Sequence, residues 1–267
     1  MFETLRWRNS RLKALFRKIA QRVRQHGSRN TAAYVIRETF RLIDVLSVLK
    51  LKTSVFDRQN GTDTDGIVPL WRLRIVSPNR DAGVRFQSCD PETLKTAIES
   101  LPIDPSDYVF VDLGSGKGRA LLVAGGYPFR RVVGVEFSPE MHAIAAANIS
   151  KCRDQFRARD VQSLYADAAT WEFPAENMVV FLYNPFGESV LRTILGNLKS
   201  SLAPGSTVYI LYLQPVLSEM LENSGFVETV SRSTRDAIYR ISPNRSPVML
   251  GIVSLLLGGL SLECWCH

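Results

Sequence analysis

The stretch Val109-Phe110-Val111-Asp112-Leu113-Gly114-Ser115-Gly116-Lys117-Gly118-Arg119 decides how the chain is read. An apolar strand carries an acid near its end, and three glycines at alternate positions then lead into a helical pattern from Arg119 to Gly125. A residue without a Cβ lets the backbone turn sharply and lets a ligand lie almost on the main chain. The acid just before the bend suits a ligand with a positive group. Two nucleotide-binding alternatives fit worse. The dinucleotide fingerprint needs a small residue where Arg119 stands, and a phosphate-gripping loop needs glycine at Val111 and Ser or Thr at Gly118.

Downstream, apolar runs alternate with helical patterns. Arg131 to Glu136 is a short strand ending in a carboxylate, 18 residues after Gly118. A buried strand delivers its last side chain to the carboxyl edge of the sheet, where ligands of open α/β folds bind. Glu136 there is able to accept hydrogen bonds from both hydroxyls of a ribose; a surface glutamate at a strand tip has the same sequence. Ser138-Pro139-Glu140 predicts a capped helix start, and the helix runs from Pro139 to Lys151. Val161 to Tyr165 predicts a third strand, followed by Ala166-Asp167-Ala168, where Asp167 is either a ligand or a turn residue. Met178 to Tyr183 predicts a fourth, ending in Asn184-Pro185-Phe186-Gly187. A helix from Glu188 to Leu198, a strand from Thr207 to Leu213, a helix from Pro215 to Asn223 and a pair of strands, Phe226 to Val230 and Ala237 to Ile241, complete the pattern. Strands alternating with helices imply a mostly parallel sheet.

The motif D-x-G-x-G-x-G from Asp112 to Gly118 resembles the first motif of the class I S-adenosylmethionine-dependent methyltransferases. The wording from Asp112 to Arg119, with Gly134-Val135-Glu136, is also similar to that of seven-strand lysine methyltransferases. The resemblance covers about Tyr108 to Ile241, roughly half the chain. It implies a seven-strand, mostly parallel sheet of order 3-2-1-4-5-7-6 with helices on both faces, and S-adenosylmethionine as the cofactor. It places Asp112 with Gly114, Ser115, Gly116 and Gly118 at the methionine end and Glu136 at the ribose. Asp167 and the backbone N–H of Ala168 fall at the adenine. Asn184 and Phe186 match the (Asp/Asn)-Pro-Pro-(Tyr/Phe) motif of amine methyltransferases, except that Phe186 stands where the second proline belongs. That motif implies catalytic roles for Asn184 and Phe186 facing the acceptor, with Asn184 also lining the cofactor pocket. An Asn-Pro turn that merely ends a strand is the other reading.

At 267 residues and 45% apolar composition, the chain holds one α/β domain plus an appendage. The expected divisions are a basic helical region at 1–60, a linker and pre-core segment at 61–102, the core at 103–241, and a linker with a short apolar tail at 242–267. Four cysteines and three scattered histidines show no zinc-type spacing and no Cys–His pair, so no metal is expected and the thiols read as reduced and cytoplasmic. Residues 1–60 hold 14 Lys/Arg against 4 Asp/Glu, a balance of +10, which leaves −3 for the remainder. Leu12, Leu15, Phe16, Ile19 and Val23 recur at helical spacing among arginines and lysines. Such a helix either caps the core or meets an anionic partner. A second helix is predicted over about Thr31 to Lys50, giving an N-terminal helical cap. Val248 to Leu262 is apolar over 15 residues, short of the ~20 that a membrane-spanning helix needs.

Between cap and core, Asp57 to Gly66 reads as a turn-rich loop, Leu73 to Val76 as a short strand, and Phe86 to Asp90 as the entry to a helix over Pro91 to Ser100. The segment Phe86 to Cys89 is expected to close over the cofactor and shape the acceptor pocket. The function expected is methyl transfer to an acceptor amine, of a protein lysine or a nucleic acid. The alternative is a non-catalytic S-adenosylmethionine-binding protein that recruits a partner through its basic N-terminus.

Overall fold

The computed structural model describes residues 54–242. The basic helices expected at the N-terminus, and the linker and apolar tail expected after residue 242, lie outside the described residues. The described chain runs α1 (Val55–Asn60), β1 (Ile67–Val68), β2 (Phe86–Gln87), α2 (Pro91–Glu99), β3 (Val109–Leu113) and α3 (Arg119–Gly125). It continues through β4 (Arg131–Glu136), α4 (Pro139–Cys152), β5 (Val161–Tyr165), β6 (Met178–Leu182) and α5 (Glu188–Ser201). The last elements are β7 (Val208–Leu213), α6 (Ser218–Glu222), β8 (Val227–Arg232) and β9 (Asp236–Ile241).

Seven strands form one sheet in the order β5-β4-β3-β6-β7-β9-β8. Counted from the first core strand, this is the expected 3-2-1-4-5-7-6. The strands from β5 to β7 pair in parallel, and β9 joins β7 antiparallel. Every residue of β3, β6 and β7 is buried, because helices cover both faces and each strand can be apolar throughout. On one face Val111, Val133 and Val180 pack with Ile194 and Leu195 of α5. On the other, Phe110, Val132 and Phe181 pack with Leu94, Leu121 and Ile149 from three helices. The ring of Phe110 sits 5.4 Å from that of Phe129 and 6.0 Å from that of Phe181.

Local signals set the helix starts. The Ser138 hydroxyl accepts the Met141 N–H and Pro139 occupies the first turn of α4, as its sequence predicts. Asp90 caps α2 through the Thr93 N–H. Three expectations need correction. Asp57 to Asn60, expected as the start of a turn-rich loop, lies in α1, whose first turn is capped by the Ser54 hydroxyl on the Asp57 N–H, so the loop begins only at Gly61. Leu73 to Val76 forms no strand: Leu73 and Ile75 are buried against Met141, Val68, Leu70, Phe86 and Phe137, and the Arg74 N–H donates to the Glu140 carboxylate at 3.2 Å. The alternation of apolar residues is real, but a side chain takes the backbone donor where a neighbouring strand would have to. Strand pairing occurs instead between β1 and β2. The helix expected from Pro215 is shorter and starts at Ser218. Gln214 adopts φ 50° and its carbonyl accepts the Val216 N–H, so the chain turns before it can coil.

Residues 54–66 pack into the body of the core. Asp57, 2% exposed, accepts the hydroxyls of Thr62 and Thr64 at 2.7 and 2.6 Å and the N–H groups of Thr64 and Asp65, both at 2.9 Å. Burial raises the Asp57 pKa, but hydrogen bonds from Thr64 and Thr62 and the nearby Arg119 outweigh it and hold the carboxyl below its ordinary value. Asn148 of α4 clasps the same loop, accepting the Asp63 N–H and donating to the carbonyls of Asp63 and Lys117. Removing the Asp57 carboxylate strands several buried donors at once. Asp57→Ala is therefore expected to cost about 3 kcal/mol of unfolding free energy, measured by denaturant titration at pH 7. Part of that difference should vanish as the pH falls below the ordinary aspartate range, where the wild-type carboxyl is protonated.

Candidate active site

The glycine bend sits at the carboxyl end of β3. Gly114, Gly116 and Gly118 all have left-handed φ, of 81°, 54° and 85°. Two of them are also sterically required. A Cβ on Gly116 would lie 2.3 Å from ring carbons of Phe86, and one on Gly114 would lie 2.7 Å from the Pro185 Cβ. The N–H groups of Gly114 and Ser115 both donate to the Val135 carbonyl, which ties the bend to β4. Gly118 caps α3 and abuts Ala145 of α4, so its place is at a helix-packing contact.

Glu136, 4% exposed, bridges the bend and the next helix. One carboxylate oxygen accepts the Gly116 N–H and the other the Ser138 N–H, both at 2.8 Å. Burial pushes its pKa up to about 7, against the opposing pull of those N–H groups and that of Phe137. Asp112 is equally buried; burial, with the charge of Glu136, pushes its carboxyl up to about 8. Beside them the Ser115 hydroxyl is buried without a hydrogen-bond partner. Two buried carboxylates with raised pKa values and an orphaned hydroxyl next to a Cβ-free bend form a cradle suited to a cationic, hydroxyl-bearing ligand. The residues present fit an adenosyl sulfonium.

A shallow cleft opens along the same sheet edge, lined by Gly114, Phe137, Asp167, Ala168, Phe186 and Val190 among others. Four residues expected at the site from sequence thus meet in one cavity: Gly114, Asp167, Ala168 and Phe186. Asp167 receives hydrogen bonds from Ser77, Asn79 and the Ala169 N–H. Burial raises its pKa, but these bonds outweigh it and hold the carboxyl below the ordinary value. Asp112, Ser115, Gly116, Gly118, Glu136 and Asn184 are not among the lining residues. Asn184 adopts φ 49°, and its side-chain oxygen lies 3.5 Å from the Tyr212 hydroxyl. Its neighbours Pro185 and Phe186 line the cleft in its place.

Sequence reading missed several neighbours of the bend. Lys117 and Arg119, both under 10% exposed, point away from any solvated face. The Lys117 ammonium donates to Asp63 and to the Asp65 carbonyl, both at 2.8 Å. The Arg119 guanidinium donates to Thr64, Ser54 and the Cys89 carbonyl, with Asp57 3.6 Å away. The acid-rich wording of Asp57 to Asp65 was the available signal. Phe137, one residue past the strand-end acid, and Val190 of α5 carried no distinguishing mark. Phe86, at the start of the segment expected to close over the site, has its ring against Gly116, and Lys117 approaches that ring to 5.7 Å. Cys89 is buried, and burial above all pushes its thiol up to about 12, which removes it as a nucleophile at neutral pH. His142 is occupied with Ser163 at 3.0 Å. Among the described residues no group of three or more His, Cys, Asp or Glu side chains is placed to hold a metal ion, and no helix is long and apolar enough to cross a membrane.

With this geometry in view, comparison with known proteins is direct. The model of a family described as methyltransferase domain matches residues 110–205. No curated protein matches the chain. Among solved structures, an RNA methyltransferase from Salinibacter ruber in complex with S-adenosyl-L-homocysteine is 25% identical, over 61% of this chain and 98% of that one, with a TM-score of 0.44. TrmN from Thermus thermophilus is 18% identical over 57% of this chain and 48% of its own, with a TM-score of 0.43. A putative S-adenosyl-L-methionine-dependent methyltransferase from Methanococcus maripaludis is 17% identical over 60% and 87%, also at 0.43. The fold is Rossmann-like, with the strand order expected of a seven-strand methyltransferase sheet. Residues 110–205 thus match a methyltransferase domain, carried on a sheet of the order 3-2-1-4-5-7-6.

The buried carboxylates give the unliganded protein a pH signature. With folded pKa values of about 8 and 7 against ordinary values of 3.8 and 4.5, the folded state holds more protons than the unfolded one between those limits. Stability therefore falls as pH rises through that window. Wild type should lose more melting temperature between pH 5 and pH 8 than Asp112→Asn does, read by calorimetry without cofactor.

Proposed function

We propose that the protein transfers the methyl group of S-adenosylmethionine to an acceptor amine, of a protein or a nucleic acid, in the cytoplasm. The observation that carries this reading is the placement of the glycine bend, the buried Asp112–Glu136 pair and the Asp167–Ala168 turn at or just past the carboxyl ends of three neighbouring parallel strands, β3, β4 and β5, with Gly114, Asp167 and Ala168 lining one cleft. The cofactor supplies a methyl already activated on a sulfonium, so the chain's work is binding, orientation and exclusion of water. Asp112, Gly114, Ser115 and Gly116 would hold the methionine end, where ionised Asp112 offsets the cofactor's positive charge. Glu136, holding the loop with one lone pair of each oxygen, has others left for ribose hydroxyls. Asp167 and the Ala168 N–H would take the adenine, with Phe137 and Val190 as apolar walls.

The acceptor side rests on Asn184-Pro185-Phe186. A protonated or planar amine is a poor nucleophile, so acceptor atoms must orient its hydrogens and turn the lone pair toward the methyl. The Pro185 carbonyl takes the Val84 N–H at 3.0 Å and keeps a second lone pair, and the Asn184 side-chain oxygen lies 3.5 Å from the Tyr212 hydroxyl, so either would orient the amine only with the acceptor capacity these contacts leave, with Phe186 as packing for the substrate. Incubating the protein with methyl-labelled cofactor and a cell extract should mark a protein or nucleic-acid component. Binding of cofactor with no label transferred to any component would favour the non-catalytic alternative.

Two binding measurements test the cofactor assignments. Glu136→Ala should weaken S-adenosylhomocysteine binding by roughly 1–3 kcal/mol, and calorimetry giving wild-type affinity would exclude the ribose role. A cationic cofactor favours the ionised forms of Asp112 and Glu136, so S-adenosylmethionine affinity should rise as pH goes from 6 to 8, with protons released on binding.

A further inference from the structure

One wall of the cleft comes from outside the matched domain. Residues 67–87 form a strap that crosses the carboxyl edge of the sheet, and Asn79 and Gly83 of this strap line the cleft. The strap is fastened at both ends of that crossing. Arg74 donates to Glu140 through its backbone N–H and its Nε. Val84 donates to the Pro185 carbonyl at 3.0 Å, and Gly187 donates to the Ala82 carbonyl at 2.7 Å. Gly83 fits beneath Phe137 closely enough that a Cβ there would lie 2.9 Å from the ring tip.

Between these fastenings the turn Ser77-Pro78-Asn79 meets Asp167. The Ser77 hydroxyl and the Asn79 amide both donate to the same Asp167 oxygen, while the other Asp167 oxygen accepts the Ala169 N–H at 2.9 Å. Ser77 also accepts the Asn79 N–H at 2.9 Å, closing the turn on itself. These contacts fix proton direction. Asp167 is an acceptor, so the Asn79 side chain must present its NH₂ to it, and its carbonyl oxygen is left as an acceptor on a residue of the cleft wall. Asp167 keeps acceptor capacity on the oxygen that takes only one hydrogen bond.

We propose that Ser77 and Asn79 belong to the cofactor site, where Asn79 reads the exocyclic amino group of adenine together with Asp167. An amino group offers two hydrogens to two acceptors. An oxo group at that position offers none and would face both acceptors lone pair to lone pair, so the pair discriminates as well as binds. Ser77 is a positioning residue that holds Asn79 and the carboxylate in register. This rests on the reading that the adenine lies at Asp167 and Ala168.

The test is calorimetric binding of S-adenosylhomocysteine and of its 6-oxo analogue, S-inosylhomocysteine, to the full chain and its variants. Wild type should prefer the amino compound. Asn79→Ala should bind it about tenfold more weakly, the worth of one hydrogen bond, and its preference over the oxo compound should shrink by a similar factor. Ser77→Ala should weaken binding of the amino compound in the same direction. An Asn79→Ala protein with wild-type affinity and wild-type preference would overturn the proposal. So would a loss of affinity equal for both ligands, because Asn79 would then be holding the strap and not the base. Asp167→Ala separates the two levels. If it loses the amino compound while Asn79→Ala does not, only the role of Asn79 fails; if neither loses it, the adenine assignment itself is wrong.

Discussion

The Glu136 carboxylate is the contact on which the site's geometry turns. A bend built of left-handed glycines has no side chains to hold it, and its N–H groups must find partners or be stranded. Glu136 takes one from Gly116 and one from Ser138, so a single buried acid at the tip of β4 fixes the bend after β3 and the start of α4. The cost is visible in its raised pKa. Its neighbour Asp112 has the same cost without the same compensation, which is the arrangement expected of a group kept for a charged ligand and not for stability.

Around this centre the structure uses buried polar contacts where a simpler α/β core would use apolar packing. Lys117 and Arg119 leave the bend on the side facing α1 and the loop to Gly66, and there they meet Asp63, Thr64 and Asp57. Each partner satisfies another: Asp57 takes the threonine hydroxyls, and Asn148 closes the loop from α4. Such a network is stabilising only when complete, because one missing member leaves a buried charge or donor alone. The strap over the opposite side is held by hydrogen bonds near the surface and by the small cluster of Leu73, Ile75 and Met141. One flank of the bend is thus locked and the other lies under a lighter cover.

Much of this was legible in the chain. The order of strands and helices, the antiparallel final pair and the caps at Ser138 and Asp90 follow from local periodicity and from residues within a few positions of one another. The shape of the strand edge was legible where a residue type has few uses: three alternate glycines make the bend, and acids end or follow buried strands. Reading failed where the pattern had two outcomes. Leu73 to Val76 alternates as a strand would, yet its donor at Arg74 goes to a glutamate 66 residues away. Asn184 was expected in the pocket; it adopts φ 49°, its side-chain oxygen lies 3.5 Å from the Tyr212 hydroxyl, and Pro185 and Phe186 line the cleft.

The sequence by itself determined the glycine bend, the apolar runs that become buried strands, and the acids that end or follow them, because each depends on the conformational preferences of adjacent residues. Tertiary structure alone decided that Lys117 and Arg119 are interior, that Asn79 and Gly83 roof the cleft, and that Phe137 walls it. Those outcomes depend on contacts between residues 50 to 90 positions apart, and nothing in a residue's own neighbourhood in the chain specifies which distant group will satisfy its charge or its hydrogen bonds.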